Sequence, residues 1–125
     1  MKDQKENAIL RLTFEFSVET IAFVELLDKS GKYVISKQLL KSATSIGANV
    51  REAQNAESKA DFIHKMKIAH KEADETQYWL ELCAASKKYP SDKNLENKIL
   101  IINKILSKII GTTKNQNKKI AELSN

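Results

Sequence analysis

The sequence predicts an all-α protein, an antiparallel up-down-up-down four-helix bundle that forms one domain over residues 1–125. Apolar residues recur with helical spacing, and no segment shows the alternation that is typical of a strand. The chain has one proline and three glycines, so it contains few built-in breaks. Because the connections between the periodic segments are short, consecutive helices are expected to run antiparallel.

Three breaks separate the predicted helices. In the first, Gly31 can take the left-handed conformation that ends a helix. Ser58 is expected to cap the third helix, with Asp61 as its partner three residues later. Pro90 stops that helix, and Ser91 can cap the next one. The predicted helices cover about residues 5–28, 35–57, 59–89 and 91–115.

The end of the chain is less periodic than the rest. After Gly111 the apolar spacing fades, so the tail is expected to fray beyond the fourth helix. Ile120 and Leu123 are the apolar residues that would prolong that helix.

Positive charge is concentrated in the last third of the chain. The net charge is +5, from 21 Lys and Arg against 16 Asp and Glu. Residues 1–86 hold 12 basic and 13 acidic residues, whereas residues 87–125 hold nine lysines and three acidic residues. A basic surface suits an anionic partner such as nucleic acid. A solvated lysine-rich helix without such a partner explains the same composition equally well.

No segment resembles a membrane span or a secretion signal. The longest uninterrupted apolar run, Ile99–Ile102, is far shorter than the roughly 20 residues of a membrane-spanning helix. The N-terminal residues carry acids among lysines and lack a cleavage-site pattern. Cys83 is the single cysteine, so no intramolecular disulfide can form, and we expect it to be a small buried residue. These features indicate a cytoplasmic protein without a membrane partner.

Several helices carry more apolar surface than one bundle core requires, which is about three positions in seven. Eight of the twelve residues from Ile99 to Ile110 are Ile or Leu, and the third helix has a second stripe that includes Trp79. The main stripe of the first helix contains Ile9, Leu12, Phe16, Phe23 and Leu26, and its second stripe contains Phe14, Val18 and Ile21. A homo-oligomer that covers the additional surface is the economical explanation, and an unusually apolar monomer is the alternative.

One side of the second helix consists almost entirely of small or polar residues. They are Ser42, Ala43, Ser45, Gly47, Ala48 and Asn49. Small side chains allow neighbouring backbones to approach closely. We therefore expect this helix to be pressed against its neighbours.

The second and third helices resemble those of the 23S rRNA intervening-sequence proteins. The matching residues of the second helix are Gln38, Leu39, Leu40, Ser42, Ala43, Thr44, Ser45, Ile46, Asn49, Val50, Glu52 and Ala53. Those of the third helix are Lys59, Phe62, Ile68, Ala69, Glu72, Glu75, Thr76, Tyr78, Trp79 and Leu80. The resemblance covers nearly the whole chain, although the first and fourth helices match mainly in length and apolarity.

The resemblance implies a small bacterial up-down bundle that forms a ring-like homopentamer and has no enzymatic activity. The family also resembles the accessory variability protein of diversity-generating retroelements, a basic pentameric barrel that works with a reverse transcriptase and nucleic acid. The family name describes where the genes lie, within insertions in large-subunit rRNA genes or elsewhere in the chromosome.

Six residues at family-like positions have two possible roles. They are Gln38, Asn49, Glu52, Glu72, Glu75 and Trp79. Charged groups are seldom buried unless paired, and the candidate partners are Lys41, Arg51 and Lys71. We favour a polar network that fixes helix register or subunit orientation, with a ligand or nucleic-acid contact as the alternative. Trp79 is expected to anchor a core or an interface rather than to stack on bases.

Two non-enzymatic functions fit the sequence. The first is an oligomer that binds RNA or DNA without sequence specificity, through side chains that contact phosphates. Its candidate contacts are Lys37, Lys41, Arg51, Lys98, Lys104, Lys108, Lys114, Lys118 and Lys119. The second is a structural or adaptor oligomer that holds a protein partner. Periodicity does not show whether the basic residues converge, since Lys98 lies well around the helix from Lys104 and Lys108.

The sequence contains no recognisable catalytic, cofactor or metal motif. His64 and His70 are six residues apart and face different sides of a helix. Glu72 and Glu75 share a face, but a carboxylate-bundle metal site also requires Glu-x-x-His elements. The three glycines are isolated, so no phosphate-binding loop is expected. We therefore predict that the protein is not an enzyme and has no cofactor or metal.

Overall fold

The computed structural model describes the backbone of residues 4–124 and, within that range, contains four α-helices and no strand. The helices are α1 (Gln4–Lys29), α2 (Tyr33–Ala53), α3 (Lys59–Ala85) and α4 (Lys93–Ser124). The burial of side chains is described for residues 8–123. The prediction of an all-α fold with four helices is confirmed. None of the helices described is long and apolar enough to cross a membrane.

Two of the three predicted capping residues take their expected roles. Gly31 has a φ of 77°, the left-handed conformation that ends α1. The hydroxyl of Ser58 accepts a hydrogen bond of 3.0 Å from the N–H of Asp61 and caps α3. The prediction for Ser91 was wrong, because the carboxylate of Asp92 accepts the corresponding bond from the N–H of Leu95 at 3.0 Å. A carboxylate at this position is also stabilised by the helix dipole.

Three helices end at other residues than the sequence predicted. The end of α2 is corrected from about residue 57 to Ala53, since the N–H groups of residues 54–56 each bond to the carbonyl three residues earlier. The end of α3 is corrected from about residue 89 to Ala85, because Ser86 is extended. The end of α4 is corrected from about residue 115 to Ser124, so the tail continues the helix through Gly111 instead of fraying.

Each helix packs against the next one along the chain, and α4 also packs against α1. Within the described range, no Cα atom of α1 lies within 8 Å of one in α3, and none of α2 lies within 8 Å of one in α4. The helices α2 and α4 therefore lie at opposite corners of the structure. Side-chain bonds join neighbouring helices in reverse residue order. The pairs are Ser17–Ala43 and Val24–Ser36 between α1 and α2, and Ser42–Thr76 and Glu52–Lys65 between α2 and α3.

The core lies between the four helices. Its largest fully buried side chains are Ile9, Phe16, Leu27, Leu39, Ile46, Val50, Met66, Leu80, Leu95, Ile99, Ile102 and Leu106. Leu26 was expected on the main stripe of α1 but is 47% exposed, and Leu27 occupies the core position instead. Cys83 is buried as expected, and its burial, followed by the charge of Glu96, raises the pKa of its thiol.

The residues on the small side of α2 lie in three different environments. Ala43 and Gly47 lie against α1, where a Cβ added to Gly47 would approach the carbonyl oxygen of Thr13 to 3.4 Å. Ser42 is buried against α3, where it bonds Thr76. Ala48, by contrast, is exposed. The predicted close packing is therefore present toward α1 and α3 but does not extend to the whole of this side.

Candidate functional site

Two long stretches of the chain lack acidic residues. Residues 97–121, all within α4, hold six lysines, and residues 29–51, which include most of α2, hold four lysines and one arginine. Lys104, Lys108, Lys114, Lys118 and Lys119 are all exposed on α4. Lys37, Lys41 and Arg51 are exposed on α2. Because α2 and α4 lie at opposite corners, the predicted basic residues do not converge on one surface of the chain.

The charged residues of the neighbouring helix determine whether the positive charge of each acid-free stretch is increased or compensated. In α3, residues 62–71 also lack acids and carry Lys65, Lys67 and Lys71, and this part of α3 lies beside the second half of α4. Lys114 lies against Lys67 there. The closeness of the Lys67 amine, which could accept a hydrogen bond from Lys114 only if it were neutral, followed by the repulsion between the two charges, lowers the pKa of Lys114. We call Lys67, Lys104, Lys108, Lys114, Lys118 and Lys119 the lysine surface.

The surroundings of α2 are mixed in charge. Lys41 lies close enough to Glu72 of α3 for its charge to oppose the rise in the pKa of that carboxyl. The guanidinium carbon of Arg51 lies 5.9 Å from the centre of the Phe14 ring, within the range of a cation–π contact. The carboxylate of Glu52 follows directly in sequence. The positive charge of α2 is thus partly compensated. On the lysine surface the acidic residue of α4 that lies nearest is Glu122, one helical turn after Lys118 and Lys119.

Lys98 does not belong to the lysine surface. Its amine forms an ion pair with the carboxylate of Glu19 on α1, and Asn94 donates a hydrogen bond of 3.4 Å to the other oxygen of that carboxylate. These contacts join α4 to α1 and compensate the charge of Lys98. Lys98 was among the residues predicted from the sequence to contact nucleic acid, and Lys67 was not, although the acid-free stretch of α3 that carries Lys67 can be read from the sequence.

A groove of about 430 Å³ lies between α1 and α2. It is lined by Leu10, Phe14, Ser17, Thr44, Gly47, Ala48, Arg51 and Glu52. Beside it on α1, the second apolar stripe is only partly covered: Phe14, Val18 and Ile21 are 57%, 52% and 45% exposed. This stripe therefore faces away from the core of the protomer.

The polar residues singled out from the sequence are not joined into one network by the bonds described. Asn49 donates to the carbonyl of Ser45 in its own helix at 2.8 Å, and Gln38 and Glu75 are exposed. Glu52 lies 3.8 Å from the amine of Lys65, which was not among its predicted partners. The buried polar link between α2 and α3 is instead the Ser42–Thr76 pair.

Glu72 and Trp79 are both partly buried near the contact between α2 and α3. Burial, followed by the charge of Glu75, raises the pKa of the Glu72 carboxyl, and Lys71 and Lys41 oppose this. The indole N–H of Trp79 is buried without a hydrogen-bond partner, and its ring centre lies 5.3 Å from that of Tyr78. Trp79 packs against the core, as expected for an anchor.

No metal-binding constellation occurs in the described part of the chain, where no three His, Cys, Asp or Glu side chains gather closely enough to hold an ion. His70 and Asp74 are 3.8 Å apart, but they form only a pair on one helix.

Comparison with known proteins identifies the family. Residues 5–111 match the family model described as 23S rRNA-intervening sequence protein. A crystal structure at 1.70 Å of a protein of unknown function from the S23 ribosomal protein family of Bacteroides thetaiotaomicron is 42% identical, with a TM-score of 0.81. The match covers 86% of this chain and 99% of that one. A comparison with curated proteins found no match.

The family match ends before the last part of α4. Lys114, Lys118 and Lys119 lie beyond residue 111, so half of the lysine surface is outside the region that the family model matches. The remainder of the fold lies within it. From the match over residues 5–111 and the structural similarity, we conclude that the chain belongs to the 23S rRNA-intervening sequence protein family.

Proposed function

We propose that this protein is a non-enzymatic oligomer that binds RNA or DNA without sequence specificity through the lysine surface. The observation that supports this most is that six exposed lysines lie on acid-free stretches of two helices that pack against each other, α3 and α4. Two ammonium groups repel each other, and an anion that contacts both relieves that repulsion. Lysine contacts to phosphates position a protein on nucleic acid but do not read its sequence.

The oligomer would consist of up-down-up-down bundles in a ring, with a homopentamer as the form suggested by family resemblance. The reverse order of the bonds between neighbouring helices supports the antiparallel arrangement. The exposed stripe of Phe14, Val18 and Ile21 supports self-association, since contiguous exposed apolar surface commonly marks an interface.

The test is a binding titration with labelled nucleic acid of unrelated sequences. We expect the wild-type protein to bind all of them with similar affinity. The pair Lys104→Glu and Lys108→Glu should abolish binding, because each change replaces a phosphate contact with a repulsive charge. The matched control is Lys37→Glu with Lys41→Glu, which makes the same charge change at the opposite corner and should retain binding. Wild-type protein that binds no RNA or DNA at low salt would exclude this function.

A structural or adaptor oligomer that holds a protein partner is the second candidate. The observation that favours it is the groove beside the exposed α1 stripe, whose lining is mostly apolar or small. A partner that binds there should remain with the protein after nuclease treatment and high salt. Under the nucleic-acid proposal, associated material should instead be released by either treatment.

A further inference from the structure

We infer that the lysine surface takes double-stranded rather than single-stranded nucleic acid. The inference rests on the proposed function and names the form of its partner. Three features favour a duplex: the lack of exposed aromatic rings near the lysines, the higher density of phosphate charge in a duplex than in a single strand, and the presence of lysines on both α3 and α4.

The lysine surface contains no exposed aromatic side chain. Among the described residues, the exposed aromatics are Phe14, Tyr33 and Tyr78. Phe14 lines the groove between α1 and α2, and Tyr33 begins α2. Tyr78 lies on α3 beyond its acid-free stretch, between Glu75 and Glu81. Proteins that bind single strands commonly gain about 1–3 kcal/mol per base from stacking on aromatic rings. The aromatic side chain beside the lysine surface is Phe62, which is half-buried in a pocket with Thr113 and Gln116, so no fully exposed ring is available there for stacking.

A surface that offers only positive charge favours the partner with the higher density of negative charge. From Lys104 to Lys119 the α4 axis extends about 22 Å at 1.5 Å per residue. A duplex carries one charge per about 1.7 Å of axis, so it presents about a dozen phosphates over that length. A single strand has about half that density. Counterion release per neutralised phosphate is also larger for a duplex, with a coefficient of about 0.9 against about 0.7.

The lysines also occupy two adjacent helices. Lys67 is on α3, and the others are on α4, whose axis is expected to lie about 8–10 Å away, as for packed helices generally. Lys67 adds one cation beside the row on α4, and because its amine is close to that of Lys114 the two can contact neighbouring phosphates, where the denser phosphates of a duplex favour both contacts at once. The last three lysines of α4 lie beyond the family match, so the proposed contact between the lysine surface and a duplex is assigned to the present chain and not to the family as a whole.

The experiment compares the full chain on four probes of equal length: a DNA duplex, an RNA duplex, and an unstructured single strand of each. Binding is measured by fluorescence anisotropy between 50 and 200 mM salt. We expect at least one duplex to bind about tenfold or more tightly than the single strand of the same sugar at equal salt. Single strands that bind as tightly as both duplexes would overturn the inference while leaving the proposed function intact. Absence of binding to all four probes would instead remove the proposed function.

Two double variants test whether Lys67 on α3 and Lys114 on α4 contact the duplex. The pair Lys67→Gln with Lys114→Gln should reduce the slope of log affinity against log salt for the duplex by about 1.8, which corresponds to two lost contacts. Lys37→Gln with Lys41→Gln is the matched control and should leave the slope unchanged. An unchanged slope in the first pair, with helical content like that of the wild type, would contradict the assignment of Lys67 and Lys114.

Discussion

The hydroxyls of Thr76 on α3 and Ser42 on α2 are hydrogen-bonded at 2.8 Å, and both residues are buried. Each hydroxyl also lies within hydrogen-bond distance of a carbonyl of its own helix, Thr76 at 2.8 Å from that of Glu72 and Ser42 at 3.3 Å from that of Leu39. This pair joins the two helices that carry the family-like positions. A buried hydroxyl that loses its partner costs about 1–3 kcal/mol. The pair therefore fixes the register between α2 and α3, the role that sequence analysis assigned to the more exposed polar residues.

We predict that Thr76→Val lowers the free energy of unfolding by about 0.5–1.5 kcal/mol, because it removes the bond to Ser42 while Ser42 keeps its bond to the carbonyl of Leu39. Urea denaturation measures this value. Ser42→Ala is the second arm of a double-mutant cycle, and the double variant should lose less than the sum of the two single losses. Strict additivity would show that the two hydroxyls do not stabilise the fold through each other.

Close packing between α1 and α2 predicts that replacement of alanine by leucine destabilises the protein at Ala43 but not at Ala48, although both residues are on α2. Ala43→Leu places extra volume in a fully buried position against α1 and should destabilise the protein by about 1–3 kcal/mol. Ala48→Leu is the matched control, since Ala48 is exposed, and should change the stability by less than about 0.5 kcal/mol. Equal losses at the two positions, measured by chemical denaturation, would contradict this packing.

The raised pKa of Glu72 predicts a pH dependence of stability. Burial and the charge of Glu75 raise this pKa above its ordinary value of 4.5, so the folded state holds the proton more tightly than the unfolded state. The stabilising contribution is therefore lost as the pH rises from 4.5 through the raised pKa. We expect Glu72→Gln to gain free energy of unfolding relative to wild type across this window and to retain the gain at pH 7.

Denaturation curves between pH 4 and pH 7 measure the difference between Glu72→Gln and wild type. Glu122→Gln serves as a control because Glu122 is exposed at the end of α4. A difference between Glu72→Gln and wild type that does not change over this range would show that the effect is not electrostatic.

Because Lys98 is paired with Glu19, we predict that substitution of Lys98 affects stability but not nucleic-acid binding, whereas substitution of Lys104 affects binding but not stability. Lys98→Gln should lower the free energy of unfolding by at most about 1 kcal/mol and should leave nucleic-acid affinity unchanged. Lys104→Gln should weaken binding and leave stability unchanged, because Lys104 is exposed. Thermal unfolding and anisotropy on the same samples give both values. A loss of affinity in Lys98→Gln equal to that in Lys104→Gln would place Lys98 in the interface.

The exposed α1 stripe predicts that self-association depends on Val18. Val18→Glu introduces a charge into the centre of the stripe and should reduce the particle mass measured by light scattering. Val34→Glu is the matched control, because Val34 is exposed on α2 away from the stripe, and it should keep the wild-type mass. A Val18→Glu particle of wild-type mass would assign the oligomer interface to another surface.

The sequence was sufficient for the number of helices and for most of the core. Helical periodicity identified Ile9, Phe16 and Phe23, because burial repeats with the helical turn. The placement of Leu26 in the main stripe was wrong, although strict periodicity favours Leu27, which lies about five turns after Ile9, whereas Leu26 lies about 100° around the helix. The continuation of α4 was also missed, because the fading of apolar periodicity after Gly111 indicates loss of core contact rather than loss of helix.

The candidate site was less predictable than the fold. Charge counts located the basic part of the chain, but they do not show which lysines have an acidic neighbour. Glu19 compensates Lys98 from 79 positions earlier in the sequence, and Lys67 meets Lys114 from another helix. Both relationships depend on which helices are neighbours. They therefore become visible only once α3 and α1 are placed on either side of α4.

The most direct test of the central claim is the salt dependence of duplex binding by the wild-type chain. If the lysine surface contacts phosphates, the logarithm of the affinity should fall linearly with the logarithm of the salt concentration, with a slope of about −0.9 per phosphate neutralised. The same slope should be found for duplexes of unrelated sequence. An affinity that does not change between 50 and 200 mM salt, or no binding at 50 mM, would contradict the claim.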